Sequence, residues 1–123
     1  MKIFVALGSA NLFLAVALGA FGAHALKDHL LQLGTLETYQ TGVQYHMIHA
    51  LGLLAVAMLM DRWGLTSYLN WSGWLLFAGI ILFSGSLYVL SMSGIRWLGA
   101  ITPFGGVAFL IGWALMFIAA LKA

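Results

Sequence analysis

The side chains that could do chemistry are concentrated in one apolar stretch, residues 36–60. At about 100° of rotation per residue, Glu37, Gln44 and Tyr45 fall on one face of a helix, and His49 lies at the edge of that face. Three more residues of this face are Gln40, Thr41 and Gly52. Polar groups are costly in lipid and usually face the interior of a helix bundle, where they pair with one another or line a cavity. This face is the best candidate site in the chain.

Hydrogen bonding inside the protein is the simplest role for these groups. A buried ring nitrogen without a partner is costly in free energy, so we expect a neutral His49 to hydrogen-bond across the bundle to the first or third apolar segment. The candidate partners, chosen by depth and residue type, are Asn11, Ser84, Ser86 and Tyr88. Asn11 therefore joins the candidate site.

The four histidines invite a test for metal or haem binding. His46 and His49 lie three residues apart, close enough to share one ion. A zinc site would need a further ligand, from His24 or His29, because zinc takes three or four convergent ligands. His46, however, lies almost opposite Glu37 on the helix. A haem would need His49 and His24 at one depth, and His24 lies near the membrane surface. We predict no metal and no cofactor, and we keep His24 as a candidate polar residue.

The composition places the chain in a membrane. Of its 123 residues, 63% are hydrophobic and 7% are charged, whereas a soluble domain carries about 25% charged residues to solvate its surface. The five basic residues lie at the edges of apolar runs, where they can reach lipid headgroups. They form no patch for a nucleic acid, and membrane lipids are the expected surroundings.

Catalytic groups are scarce in this sequence. The chain has no cysteine, and its only acids are Asp28, Glu37 and Asp61, which lie in different parts of the sequence. The sequence contains no paired carboxylates in one segment, no Ser-His-Asp order and no phosphate loop. We therefore expect a protein that is not an enzyme.

Four apolar segments are long enough to cross a bilayer, since a helix needs about 20 apolar residues to span about 30 Å of hydrocarbon. They cover residues 3–23, 36–60, 70–92 and 97–121. The sequence thus predicts an all-α fold, a single domain of four transmembrane helices over residues 1–123. Pro103 removes a backbone donor near the start of the fourth segment, so the helix should either kink there or begin there.

The longest polar stretch, residues 24–42, separates the first two segments. Its leucines are interleaved with charged residues, which predicts a short amphipathic helix in the headgroup layer. The expected lipid-facing residues are Leu26, Leu30, Leu31 and Leu33, and the expected water-facing residues are Lys27, Asp28 and Gln32. We expect Gly34 to end this helix and Thr35 to cap the next one.

Small residues at helical spacing predict the contact faces, because close packing and interhelical hydrogen bonds decide which faces meet in lipid. The predicted interior stripes are Asn11, Ala15, Gly19 and either Gly22 or Ala23 in the first segment; Ser72, Leu76, Gly79, Phe83, Ser86, Leu90 and Ser93 in the third; and Gly105, Phe109, Gly112 and Met116 in the fourth. These are more glycine faces than four helices can pair, which predicts a homo-oligomer or a membrane-protein partner.

Basic residues set the expected orientation. With four crossings, Lys2, Arg62 and Lys122 lie on one side of the membrane, and Lys27 and Arg96 lie on the other. The positive-inside rule then places both termini in the cytoplasm.

Four ordered motifs make the chain similar to the YgdD/YwdK-like family of small bacterial membrane proteins. They are GAFGAHA at 19–25, YHMIHAL at 45–51, FSGSLY at 83–88, and TPFGG at 102–106 with GWA at 112–114. The resemblance covers nearly the whole chain. It implies four transmembrane helices in the bacterial inner membrane, in a family of unknown function with relatives in mitochondria. The family pattern includes His24, Tyr45 and His49, and His46 less clearly, which favours Tyr45 and His49 as site residues.

Two functions fit these features. The preferred hypothesis is a nonenzymatic accessory or scaffold subunit that self-associates or joins a larger membrane complex. The alternative is a small binding or transport module for a lipid, quinone or other apolar ligand, lined by the polar face of residues 36–60. A cavity surrounded by the candidate residues would favour the alternative, whereas a packed core in which they hydrogen-bond to one another would exclude it. Those residues are Glu37, Gln44, Tyr45 and His49.

Overall fold

The fold is all-helical throughout residues 2–123, the part of the chain that this computed structural model describes. In chain order the elements are α1 (Lys2–Ala23), α2 (Lys27–Leu33), α3 (Leu36–Trp63), α4 (Ser67–Gly79), a π-helical segment (Ile80–Gly85), α5 (Ser86–Ser93), a 3-10 turn (Arg96–Ala100) and α6 (Thr102–Lys122).

Four continuous helical stretches are long and apolar enough to cross a membrane. They are α1, α3, the run of α4, π-helical segment and α5 (Ser67–Ser93), and the 3-10 turn with α6 (Arg96–Lys122). This confirms the predicted four-helix architecture. Each stretch satisfies its own backbone hydrogen bonds, as a span in lipid must.

Helix α3 is the central element of the bundle. In its most apolar stretch 50% of the residues are buried, against 22% in α1 and in α6. Helix α1 packs along α3, and α6 packs along α4 and the π-helical segment. The core between them includes Phe4, Leu53, Val56, Leu69 and Leu76, none of which is exposed.

Serine hydroxyls join the helices at glycine positions. Ser84 of the π-helical segment donates to the Gly42 carbonyl of α3 (2.8 Å), and Ser72 of α4 donates to the Gly112 carbonyl of α6 (2.7 Å). All four residues are buried. Glycine lets the backbones come close enough for the hydroxyl to reach the neighbouring carbonyl, which is how helices associate in lipid without a hydrophobic driving force.

The π-helical segment shifts the inward face of the third span by one residue. The predicted stripe holds at Ser86 and Leu90, which are buried, but Phe83 is half-buried and Ser93 is exposed. Ser84, Leu87 and Ser91, each one residue beyond a member of the stripe, are buried as well. A π-helical turn accommodates an extra residue, so a stripe extrapolated with α-helical spacing is wrong for Ser93. As a result of this shift, the Ser84 hydroxyl reaches the Gly42 carbonyl of α3.

Pro103 marks a helix start. The 3-10 turn precedes it, and α6 begins at Thr102 with Pro103 in its first turn. Proline is tolerated there because the first backbone N–H groups of a helix have no intrahelical acceptor. Of the two predicted outcomes, the structure selects the helix that begins here.

Helix α2 packs against the end of the bundle. Leu31 is exposed, as expected, but Leu30 is fully buried in the protein, so its predicted place in lipid is wrong. His29 on the same helix donates to the Met92 carbonyl (2.9 Å). Gly34 ends α2 with a positive φ of 70°, as predicted. Thr35 precedes α3, but its hydroxyl donates to the Ser91 carbonyl (2.8 Å), so the predicted cap is wrong.

Two adjacent glycines of α6 should respond oppositely to alanine. A Cβ at Gly105 would overlap the Phe83 backbone, whereas a Cβ at Gly106 would meet only Phe83 Cδ2 at 4.0 Å. Gly105→Ala should therefore lower the free energy of unfolding by about 1–3 kcal/mol, the usual cost of overpacking. Gly106→Ala should raise it by up to about 1 kcal/mol through helix propensity. Titration with a denaturing detergent measures both, and equal effects would contradict the close contact.

Candidate functional site

His46 lies at the centre of a polar network that joins three spans. Its Nε2 is 2.9 Å from Oδ1 of Asn11 in α1, and its Nδ1 is 2.8 Å from the hydroxyl of Tyr88 in α5. The Asn11 amide donates in turn to the Leu7 carbonyl (2.8 Å). His46 and Asn11 are 4% and 8% exposed. Asn11 and Tyr88, which were predicted as candidate partners of His49, are thus the partners of His46.

His49 lies one turn further along α3 and hydrogen-bonds to α6, whereas His46 hydrogen-bonds to α1 and α5. The Trp113 indole N–H of α6 donates to His49 Nε2 (2.9 Å), and His49 Nδ1 donates to the Tyr45 carbonyl (2.7 Å). The expectation of a buried, hydrogen-bonded His49 is confirmed, but its predicted partner on the first or third segment is wrong. The reason is geometric, since three residues along a helix rotate a side chain by about 60° away from its neighbour.

The partners dictate opposite tautomers for the two rings. Asn11 Oδ1 can only accept, so His46 Nε2 carries the proton, and in the neutral ring Nδ1 accepts from Tyr88. The Trp113 indole can only donate, so His49 Nε2 is unprotonated and Nδ1 carries the proton. Every ring nitrogen of this pair is already engaged in a hydrogen bond. Binding one ion between the two rings would break bonds in both networks.

A groove of about 700 Å³ opens between α3 and α6 beside His49. Its α3 wall carries Gln44, Tyr45, Ile48 and His49, and its α6 wall carries Pro103, Gly106, Val107, Phe109, Leu110 and Trp113, with Phe83 at the base. The rings of Tyr45 and His49 lie 8° from parallel, and those of His49 and Phe109 lie 13° from parallel at 3.4 Å between centroids. Aromatic faces therefore form much of the lining.

Gln44 and Tyr45 are the exposed polar members of the groove. Tyr45 is 40% exposed, and Gln44 is exposed as well. Within residues 2–123, neither the Tyr45 hydroxyl nor the Gln44 side-chain amide forms a hydrogen bond. Only the backbone carbonyl of Tyr45 accepts one from a side chain, that of His49. The predicted interior position of this polar face is thus wrong for both residues. Their hydrogen-bonding groups remain available at the groove.

Other predicted site residues lie elsewhere. Glu37 is exposed in the first turn of α3, outside the groove. His24 is exposed in the turn after α1 and is not brought to His49. A smaller notch of about 250 Å³ lies between α1 and α3, lined by Gly19, Gly22, Ala23, Tyr39, Gln40, Val43 and Gln44. The candidate set therefore divides, with Gln44, Tyr45 and His49 at the groove and Asn11 in the His46 network.

Trp113 was missed as a polar partner of His49. Trp113 lies mid-helix in α6, and its ring covers Gly52 of α3. A tryptophan at mid-membrane depth needs an acceptor for its N–H, which is the sequence signal that could have paired it with His49.

The tautomers make a spectroscopic prediction. In ¹⁵N-histidine-labelled protein, His46 should be a neutral ring protonated on Nε2, and His49 a neutral ring protonated on Nδ1. Asn11→Leu should alter the His46 signals and leave those of His49 in place, because the two rings bond to different helices. Nitrogen chemical shifts separate the tautomers, and two rings with the same tautomer would contradict the networks.

The comparisons with known proteins agree with the fold. The profile of a family described as protein of unknown function, DUF423, matches residues 18–106. The UPF0382 membrane protein YwdK of Bacillus subtilis is 55% identical over 99% of this chain and 98% of its own length. UPF0382 membrane proteins of Staphylococcus epidermidis and Staphylococcus saprophyticus are 50% and 48% identical over 99% of this chain and 98% and 99% of their own lengths.

No solved structure matches the chain. The curated relatives are named as membrane proteins and match it from end to end, in accord with its four apolar spans. The chain is a membrane protein that belongs to the DUF423 family and is similar to the UPF0382 membrane protein YwdK, in agreement with the YwdK-like family that its four motifs predicted.

Proposed function

We propose that this protein is a nonenzymatic binding module that takes up a neutral, largely apolar membrane molecule in the groove between α3 and α6. One observation carries the proposal: Gln44 and Tyr45 line the groove with hydrogen-bonding groups that no other side chain of residues 2–123 engages. Polar groups without partners are costly in lipid. A bound molecule with a polar group would satisfy them.

Depth supports a ligand held within the bilayer. Helix α3 has 28 residues and is about 42 Å long at about 1.5 Å per residue, so it projects about 6 Å beyond each side of a hydrocarbon core about 30 Å thick. Gln44 lies eight residues from Leu36, about 12 Å along the axis. Its amide is therefore about 6 Å inside the hydrocarbon. The groove continues from there to His49 and Trp113 at mid-membrane.

The chemistry of the groove supports binding over catalysis. Its lining contains no charged side chain among residues 2–123. The titratable groups in it are Tyr45 and His49, and both nitrogens of His49 are engaged. A general acid or base needs a free proton-transfer position near its substrate. None of the three acids lines the groove.

Self-association is a second candidate, supported by α1. Most of this helix is exposed, and one lipid-facing side repeats small residues at helical spacing. The small residues are Ala6, Ala10, Ala17 and Ala20, and Phe13 lies among them. Such a surface permits a close approach of a second helix. A homo-oligomer or a larger complex built on α1 would leave the groove on α6 free, so a scaffold role and a binding role are compatible.

The proposed location is the inner membrane of a bacterium, with both termini in the cytoplasm. The ends of α3 and α6 lie together, because Lys122 Nζ is 5.9 Å from the Tyr68 ring at the start of α4. Phe4, near the amino terminus, packs on Trp74 of the same helix α4 (5.2 Å between ring centroids). Lys2, Arg62 and Lys122 thus share one end, and basic residues favour the cytoplasmic side.

The orientation has a direct test. A reporter that is active only in the cytoplasm should be active when fused after Ala123, and a periplasmic reporter fused there should be silent. Inserting the same reporters after Gly34, on the opposite end, should reverse the pattern. Activity of the periplasmic reporter at Ala123 would overturn the proposed sidedness.

Filling the groove should abolish ligand uptake without unfolding the protein. Gly106→Leu places a side chain in the groove, where a Cβ would meet only Phe83 Cδ2, at 4.0 Å. Ala114→Leu adds similar bulk to an exposed position of α6 that does not line the groove. Native mass spectrometry of gently extracted protein should detect a co-purified molecule on the wild type and on Ala114→Leu, and at least about tenfold less on Gly106→Leu, a loss of about 1.4 kcal/mol.

Equal adduct levels on all three proteins would contradict the groove as the binding site. The absence of any adduct from the wild type, also after incubation with total membrane lipid, would contradict the binding function. The same spectra report the subunit count, which tests the self-association candidate separately.

A further inference from the structure

We propose that the groove binds an isoprenoid quinone, meaning a flat ring with carbonyl oxygens attached to a long apolar tail. This inference rests on the proposed function and names the class of its ligand. It concerns binding alone. Four features of the groove carry it: the donors it offers, the absence of charge, the flat lining and the open side.

The donors suit a carbonyl acceptor. Gln44 offers an amide NH₂ and Tyr45 offers a phenolic O–H, on consecutive residues that both line the groove. The facing wall brings no free hydrogen-bonding side chain, because Pro103, Gly106 and Val107 carry none and the Trp113 N–H is engaged by His49. A ligand that presents carbonyl oxygens to the α3 wall would satisfy both donors and leave no polar group facing α6.

The absence of charge excludes a phospholipid headgroup. Phosphate inside the groove would lie about 6 Å within the hydrocarbon, and no basic side chain among residues 2–123 lines the groove to pair with it. An unpaired charge there is costly. A quinone is neutral, and its polar atoms are two carbonyl oxygens.

The flat lining favours a ring over an alkyl chain. Tyr45, His49 and Phe109 lie within 18° of parallel in every pair. Because His49 and Phe109 stack on each other with centroids 3.4 Å apart, the ring face left for a ligand is that of Tyr45, which is 40% exposed and can take another ring in an offset stack. Gly106 leaves the facing wall without a side chain, so a ring can approach the α6 backbone. The volume of about 700 Å³ lies in the range of known small-molecule sites.

The open side of the groove suits the tail. Leu110, 72% exposed, and Ile48, 53% exposed, flank the groove. A tail of isoprenoid units can leave the ring laterally between these residues and remain in lipid. The ring would then be held by the protein while the tail stays in the bilayer.

Three probes separate this proposal from general lipid binding. The first is a naphthoquinone with a tail of four isoprenoid units, the second is the alcohol of the same tail, and the third is diacylglycerol. Each is added to delipidated full-length protein in detergent, and bound probe is counted by native mass spectrometry. The variants are the double substitution Gln44→Leu with Tyr45→Phe, the groove-filling Gly106→Leu, and the control Gln40→Leu.

Gln40 is a matched control because it is an exposed glutamine of the same helix that lines the α1–α3 notch and not this groove. The quinone should bind the wild type and Gln40→Leu at least about tenfold more tightly than the alcohol or diacylglycerol, as expected when two hydrogen bonds and a ring surface distinguish them. The double substitution should remove that preference, and Gly106→Leu should remove binding of all three.

The outcomes distinguish the two proposals. If all three probes bind the wild type equally and Gly106→Leu removes them all, the groove is a lipid site and the quinone assignment is wrong. If quinone binding is lost in Gln40→Leu and kept in Gly106→Leu, the site is the α1–α3 notch and both assignments are wrong. If no probe binds the wild type, the proposed function fails together with the quinone assignment.

Discussion

Close contact between α6 and the π-helical segment is the constraint on which the rest of this structure depends. In lipid there is little gain from burying leucine, so backbones must approach closely and exchange hydrogen bonds. Gly105 lies directly against the Phe83 backbone, and Ser72 and Ser86 bond to Gly112 and Thr102 of α6. These contacts hold α6 tightly to the third span. Helix α6 contacts α3 mainly through the side chains of Trp113 and Phe109. The space left between the two helices is the groove.

The two histidines of α3 illustrate how neighbours assign roles to identical residues. His46 is closed in among Asn11 and Tyr88 and ties α1, α3 and α5 together. His49 borders the groove and is oriented by a tryptophan and a backbone carbonyl. The first ring stabilises the bundle, and the second forms part of the groove wall. Their opposite tautomers follow from whether the partner at Nε2 accepts or donates a hydrogen bond.

Gln44 and Tyr45 differ from the polar residues of the core. Buried polar side-chain atoms of residues 2–123 all have hydrogen-bond partners, and the serines reach carbonyl oxygens on their own or neighbouring helices. At the groove, the Gln44 amide and the Tyr45 phenol are exposed and have no hydrogen-bond partner within residues 2–123. Local departures from physical consistency tend to occur at functional sites, where something outside the chain supplies the missing contact.

The sequence by itself determined the membrane setting, the four spans, the end of α2 at Gly34 and most of the glycine and serine contact faces. It did so because apolar length, charge scarcity and small-residue spacing are local properties that the bilayer imposes on any span. It could also single out Gln44, Tyr45 and His49, since polar residues are rare in such a helix. Their surroundings could not be derived in the same way.

Only the tertiary structure decided which histidine meets Asn11, that Trp113 lies on His49, and that Gln44 and Tyr45 border a groove instead of a packed core. These outcomes depend on the rotation of α3 relative to its neighbours and on the extra residue in the π-helical segment. A shift of one residue rotates a helix face by about 100°. Helical periodicity identifies which residues share a face, but the direction of that face is set by close contacts between residues far apart in the chain.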